Sequence, residues 1–165
     1  MSYDKVERHE RFIRRLDASR PSTFRVAEWL HKKGWSINIP AISYAPLDAN
    51  PLDYVDEGDL FIEKDGYTAR IDVKHSGTDF TDAESWPPQY YGNMIVSNKA
   101  AVDRANGQSK AYIIVSKPMT HMAIIWDKTR EPWFPKELTA GNTQKKEWFY
   151  LCQIKYVDFR SFADD

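Results

Sequence analysis

The stretch from Gly58 to Ser76 constrains the fold more strongly than any other part of the chain. Residues 60–62 have the composition of one short strand, and residues 69–73 have the composition of another. Between them lies the dipeptide Asp65-Gly66, which favours the two-residue turn of a β-hairpin because both residue types tolerate positive φ. The stretch therefore predicts an antiparallel hairpin.

Acidic residues occupy positions in this hairpin where apolar residues are expected. Asp59 begins the first predicted strand, and Asp72 and Lys74 flank Val73 at the end of the second. Because side chains alternate across a strand, Asp72 and Lys74 lie on one face and Val73 on the other. A charge at Asp72, inside the apolar run 71–73, is costly without a partner, so we expect one.

This arrangement predicts a site for a hard divalent cation. Mg²⁺ prefers oxygen ligands, takes one or two carboxylates and keeps several waters. We expect Asp59 and Asp72 to bind the ion, the carbonyl of Val73 to be a further ligand, and Lys74 to act on the attacking water or on developing negative charge. The alternative is a surface hairpin with an Asp–Lys salt bridge, a contact that contributes only about 0–1 kcal/mol.

The remaining segments predict one α/β domain over residues 1–165, with a central mixed sheet flanked by helices. Charged residues 1–20 predict a basic helical arm, and residues 23–33 a second helix that Ser22 or Thr23 caps and Gly34 ends. Further predictions are strands at 35–42, 94–96, 111–115 and 121–126, one or two strands after 147, helical turns at 99–105, and loops at 43–57 and 127–146.

The hairpin and its surroundings resemble the PD-(D/E)XK nuclease superfamily. The resemblance is carried by Gly58-Asp59 and by Ile71-Asp72-Val73-Lys74 on the second strand. A preceding helix that bears Glu28, followed by a strand at Trp35, is similar to the family's helix-then-hairpin order. Segments after the lysine, Asp79-Phe80-Thr81, Trp86-Pro87 and Ile95-Val96, resemble small phage-encoded members.

The resemblance implies a restriction-endonuclease-like core and a Mg²⁺-dependent deoxyribonuclease in which Mn²⁺ can substitute. It implies that Asp59 and Asp72 are metal ligands, that Lys74 is the catalytic lysine and that Glu28 is the glutamate of the first helix. A solvent-facing Glu28 near Lys32 is the alternative. The chain departs from the family pattern in having Gly58 rather than proline before the first acid, and Pro87-Pro88 interrupts the usual long helix after the lysine strand.

Several residues outside the acid cluster are candidates for contact with nucleic acid. The net charge of −1 predicts modest affinity that falls with salt. The candidates are Arg14, Arg15, His75, Tyr90, Tyr91 and Lys99. For each there is a purely structural alternative. The basic side chains can form a solvated helix face, the aromatic ones can pack over the end of a core, and the histidine can have a structural role.

Other features of the sequence narrow the class of protein. The chain contains no apolar run of about 18 residues, so we expect no membrane partner. A single cysteine, Cys152, fits a reducing compartment and a cytoplasmic location.

The oligomeric state and the function each have more than one possibility. A nuclease that makes paired cuts on the two strands of a duplex would be favoured by a homodimer. The rival hypothesis is a non-catalytic nucleic-acid-binding or protein-interaction module that keeps the nuclease fold. A metal-free sugar hydrolase is disfavoured, because it needs acids on opposite sides of a cleft.

Overall fold

The computed structural model describes residues 3–41, 59–140 and 145–164, and within residues 3–16 it describes the side chains of Glu10 and Arg14 only. The loop expected at 43–57 lies outside the described residues. The elements are α1 (Tyr3–Lys32), β1 (Ser36–Asn38), β2 (Leu60–Lys64), β3 (Tyr67–His75), β4 (Asn93–Asn98), α2 (Lys99–Ala105), β5 (Ser109–Val115), β6 (His121–Trp126), β7 (Phe134–Thr139), β8 (Lys146–Gln153) and β9 (Asp158–Ser161), with short 3-10 turns at Pro88–Tyr90, Asp127–Thr129 and Ile154–Tyr156.

Nine strands of the described chain form two sheets. The larger sheet has the order β1-β2-β3-β5-β6-β9, and its strands pair antiparallel except for β3 and β5, which are parallel. Parallel neighbours need a long crossover, and here the crossover contains β4 and α2. The smaller sheet is antiparallel with the order β4-β8-β7. The expectation of an α/β fold with a mixed sheet and helices is therefore confirmed at that level.

The two faces of the larger sheet pack against different layers. Alternate residues of β5 show this division: Ile113 belongs to a core shared with Val26 and Leu30 of α1, whereas Ile114 belongs to a core shared with Met94 and Cys152 of the smaller sheet. Period-two alternation thus delivers one apolar set to each side. The larger sheet is the middle layer, so Ala69, Ile71 and Val73 of β3 pack toward α1 and the residues between them face the smaller sheet.

The predicted hairpin is confirmed. β2 and β3 pair antiparallel from Leu60↔Ile71 to Lys64↔Tyr67. Asp65 and Gly66 have φ values of 52° and 79°, which is the left-handed geometry that a two-residue hairpin turn requires at both positions.

The prediction of two N-terminal helices is wrong. α1 is a single helix of 30 residues with Pro21 inside it, so neither Ser22 nor Thr23 caps a separate helix. Proline lacks the amide hydrogen that would bond to the carbonyl one turn earlier in the helix. The helix tolerates this local cost because the turns on both sides of the proline are continuous. Ser22, Val26 and Leu30 form a buried stripe after the proline. Gly34, with φ 85°, ends the helix as predicted.

Other segments agree with the sequence prediction in part. β5, β6 and α2 lie where expected, and α2 closes on Asn106 in the left-handed conformation. β1 is shorter than the strand predicted at 35–42. The prediction of a loop over residues 127–146 is wrong in the middle of that range, where β7 forms an edge strand of the smaller sheet. An edge strand is half solvated and accepts Pro135, so it carries a weak sequence signal. In the part of the chain that the structure describes, neither helix has the length and apolar character to cross a membrane.

Candidate active site

The polar residues of the hairpin lie on one face of β3. Ala69, Ile71 and Val73 are buried toward α1, so the alternating residues Arg70, Asp72 and Lys74 face the smaller sheet. Burial of their side chains is partial, with 14% of Arg70 and 15% of Asp72 exposed. The alternation that predicted a shared face for Asp72 and Lys74 also brings Arg70 to that face.

Asp59 lies one residue before β2 and binds the backbone of β3. Its Oδ2 atom accepts a hydrogen bond of 2.6 Å from the amide of Val73. Val73 lies two residues beyond Ile71, which forms the last described β2–β3 pair with Leu60, and the carboxylate satisfies its buried amide. Continuing the register by one step places Asp59 opposite Asp72.

Asp72 is held by two side chains. Its Oδ1 atom is 3.4 Å from a guanidinium nitrogen of Arg70, and its Oδ2 atom accepts a hydrogen bond from the hydroxyl of Ser109 on β5. The expectation that this carboxylate has partners is therefore met by protein groups. These contacts satisfy a mostly buried charge and fix its orientation.

Lys74 spans the space between the two sheets. Its Nζ atom donates a hydrogen bond of 2.7 Å to the hydroxyl of Ser97 on β4. Burial disfavours the charged ammonium and lowers the pKa of Lys74, while Asp72 and Asp59 act in the opposite direction. Both carboxylates are thus close enough to act on this lysine, and the three charges form one electrostatic unit.

Tyr112 extends this unit onto the neighbouring strand. It pairs with Asp72 in the parallel register of β3 and β5. Burial, followed by the nearby Asp72 carboxylate, raises the pKa of Tyr112, and a hydrogen bond with Ser109 opposes the rise. The phenol therefore stays neutral beside the aspartate.

The site offers two carboxylate side chains, Asp59 and Asp72, as donors for a hard cation. Among residues 3–41, 59–140 and 145–164, no group of three or more His, Cys, Asp or Glu side chains gathers in a way that could hold a metal. Mg²⁺ is commonly bound by one or two carboxylates with retained waters, and Asp59 and Asp72 supply two. Val73 presents its side chain to α1 and its amide to Asp59.

The structure does not bring Glu28 to the two aspartates. Its side chain is 51% exposed on α1 and forms ion pairs of 2.9 Å with Arg25 and 3.0 Å with Lys32. Lys32, followed by Arg25, lowers the pKa of Glu28. The helix packs on the side of the larger sheet that is opposite to Asp72 and Lys74. This geometry agrees with the alternative prediction, in which Glu28 faces solvent near Lys32.

Three of the candidate nucleic-acid contacts lie in the segment that follows Lys74. His75 is exposed, and its Nε2 atom is 3.1 Å from the carbonyl oxygen of Lys117. The ring of Tyr90 stacks on Trp86 at a tilt of 34° with centroids 5.2 Å apart. Tyr91 is 85% exposed and has a φ of 50°.

Two of the basic candidates, Lys99 and Arg14, form ion pairs within their own helices. Lys99 donates to Asp103 at 2.5 Å, and this contact raises the pKa of Lys99. Arg14 is exposed and pairs with Glu10 at 3.3 Å. Arg15 lies in α1, but its side chain is outside the described residues.

Sequence reasoning missed four residues of the site: Arg70, Ser97, Ser109 and Tyr112. The parallel pairing of β3 with β5 brings Tyr112 beside Asp72. Alternation along β3 could have found Arg70. The two serines are brought in by strand pairings and sheet packing that leave no local pattern. No family model, curated protein or solved structure matches this chain, so the interpretation of the site depends on its own geometry.

Proposed function

We propose that this protein is a Mg²⁺-dependent nuclease that hydrolyses phosphodiester bonds, most directly those of DNA. The observation that carries the proposal is the convergence of Asp59, Asp72 and the half-buried Lys74 on one face of the hairpin. Hydrolysis of a phosphodiester needs charge neutralisation at the phosphate and an activated water, and two carboxylates with a lysine suit that chemistry.

The order of elements supports the same proposal. Helix α1 precedes three antiparallel strands, β1, β2 and β3, and the chain then crosses through α2 to the parallel strand β5. This order fits the helix-then-hairpin core that the PD-(D/E)XK resemblance implies. The chain departs from that family pattern after the lysine strand, where only the seven-residue α2 precedes β5.

Each residue of the site has a distinct role in the proposed reaction. Asp59 and Asp72, with the carbonyl of Val73, would hold the ion, which when bound supplies positive charge and lowers the pKa of a coordinated water. Lys74 in its ammonium form places a fixed positive charge where negative charge develops on the phosphate. Because burial lowers its pKa, Lys74 also reaches the neutral form more easily and can then take a proton at Nζ.

The surface beyond Lys74 supports contact with a nucleic-acid strand. Tyr90 and Tyr91, in the segment that follows β3, offer exposed rings on which bases can stack. Stacking is tolerant of sequence, so this surface favours a nuclease that recognises strand structure rather than base identity. The binding strength should fall as salt rises.

A second candidate function is a non-catalytic module that keeps this fold. The observation in its favour is that protein groups already engage both carboxylates: Val73 binds Asp59, and Arg70 and Ser109 bind Asp72. Contacts of this kind would also serve a purely structural polar network.

Cleavage assays separate the two candidates. Wild-type protein is incubated with linear, nicked, branched and single-stranded DNA, and with RNA, in Mg²⁺, Mn²⁺ or EDTA. Asp72→Ala and Lys74→Ala are compared with Lys136→Ala, which changes an exposed lysine on β7. We expect Mg²⁺-dependent cutting of DNA by wild type and Lys136→Ala, and loss of more than about a hundredfold in the other two. Folded wild type that binds DNA but cuts no substrate would favour the non-catalytic module.

A further inference from the structure

We infer that Ser97 is a positioning residue for Lys74, so that the smaller sheet completes the candidate active site. The inference rests on the proposed function. Ser97 is 7% exposed, and its hydroxyl accepts the hydrogen bond of 2.7 Å from the Lys74 ammonium. This hydrogen bond joins Lys74 on the larger sheet to β4 of the smaller sheet.

An irregularity in β4 turns Ser97 toward Lys74. Ile95 pairs with Leu151 and Ser97 pairs with Tyr150, so Val96 is an extra residue in β4. In a regular strand, Ser97 would share the outward face with Ile95, which is 42% exposed. A β-bulge shifts the alternation by one residue and can redirect a side chain beside a site. Val96 and Ser97 are accordingly both buried, although they are consecutive.

The residues after Ser97 hold its position. Asn98 is the N-cap of α2, and its side-chain oxygen accepts a hydrogen bond of 2.9 Å from the amide of Ala100. The side-chain nitrogen of Asn98 donates at 2.8 Å to Glu147 on β8. The hydroxyl of Ser97 is therefore presented by a strand that is paired on one side and anchored to a helix at its end.

The fixed position of the Ser97 hydroxyl restricts the side chain of Lys74. A lysine side chain is long and flexible, and it loses considerable rotamer freedom when its ammonium is fixed. A buried hydroxyl at a fixed position defines one place for the ammonium before substrate arrives. Fixed charges accelerate a reaction because they need no reorganisation as the transition state forms. Ser97 thus acts through Lys74 and does not itself touch the phosphate.

The kinetic test compares Ser97→Ala with Ser97→Thr, which keeps the hydroxyl. Ser22→Ala is the matched control, because Ser22 is also a buried serine but lies on α1. We expect Ser97→Ala to lower kcat by about 10- to 100-fold with little change in KM for DNA, and Ser97→Thr to recover most of the loss. Equal kcat values for Ser97→Ala and Ser22→Ala, or an equal loss in Ser97→Ala and Ser97→Thr, would overturn the inference.

A second measurement tests positioning without any cleavage. ¹⁵N relaxation of the lysine ammonium groups in metal-free protein reports the order of Lys74 relative to exposed Lys136. We expect an ordered Lys74 ammonium in wild type and Ser97→Thr, and in Ser97→Ala an order close to that of Lys136. A wild-type Lys74 as disordered as Lys136 would overturn the inference, even if Ser97→Ala did not fold. An ordered Lys74 in a protein that cuts nothing would support positioning by Ser97 and reject the nuclease.

Discussion

Two substitutions at Asp59 separate its structural role from its proposed catalytic role. Asp59→Ala removes both the negative charge and the acceptor of the Val73 amide. Asp59→Asn removes the charge but keeps a side-chain oxygen at the same distance from the backbone. The two substitutions are informative because Asp59 binds the backbone of β3 through the hydrogen bond of 2.6 Å from the Val73 amide.

The expected magnitudes follow from the burial of Val73, which is 5% exposed. A buried amide without a partner costs about 1–3 kcal/mol, so Asp59→Ala should lower the free energy of unfolding by that amount. Asp59→Asn replaces a charge-assisted hydrogen bond by a neutral one and should cost less than about 1 kcal/mol. If Asp59 holds the metal, both variants should lose Mg²⁺-dependent cleavage by more than about a hundredfold.

Urea unfolding followed by tryptophan fluorescence measures the stability of each variant, since the chain has six tryptophans. Cleavage is then measured in conditions where each variant is folded. Asp17→Asn on the exposed side of α1 is the control for loss of one carboxylate charge. A loss of stability in Asp59→Asn as large as that in Asp59→Ala would refute the argument from the Val73 hydrogen bond. Wild-type cleavage by Asp59→Asn would refute a role as metal ligand.

Three further predictions concern other parts of the structure. Pro21→Ala should raise the free energy of unfolding by about 1–3 kcal/mol, measured by urea unfolding, because it restores an amide donor inside α1. No gain in stability would indicate that the helix begins at the proline. Glu28→Gln should leave Mg²⁺-dependent cleavage unchanged within about twofold, and a loss comparable to that of Asp72→Ala would contradict the placement of Glu28 away from the site. Burial raises the pKa of Cys152 from 9.0 to about 11, so roughly a thousandth of the thiol is ionised at pH 8 and iodoacetamide should label it slowly until urea is added. Because the unfolded thiol loses its proton first, the free energy of unfolding should fall between about pH 9 and pH 11, and a Cys152→Ala variant should lack this part of the fall.

The elements that sequence predicted well are those whose signals are local. Asp65-Gly66 defines the hairpin because few residue pairs accept positive φ at two consecutive positions. The buried strand β5 was predictable from a run of apolar residues, and Gly34 marked the end of α1. Each of these features depends on the conformational preference of a few adjacent residues.

The predictions that failed are those in which long-range packing outweighs a local rule. Pro21 indicated a helix boundary, but the helix runs through it, and the turns that follow the proline pack Val26 and Leu30 against the larger sheet. Phe134–Thr139 had the composition of a loop, but pairing with β8 makes it an edge strand. Both outcomes depend on a surface formed by residues far away in the chain.

The candidate site also combines features that have a local sequence signal with features that depend on long-range packing. That Asp72 and Lys74 share a face follows from their spacing along the chain, because side-chain alternation is a property of any extended backbone. The contacts of Lys74 with Ser97 and of Asp72 with Ser109 join residues 23 and 37 positions apart, and they are set by the folded domain. The separation of Glu28 from this site is set in the same way. The physical reason is that a bulge, a parallel pairing and the packing of two sheets are selected by burial across the whole domain, and burial on that scale leaves no local signature in the sequence.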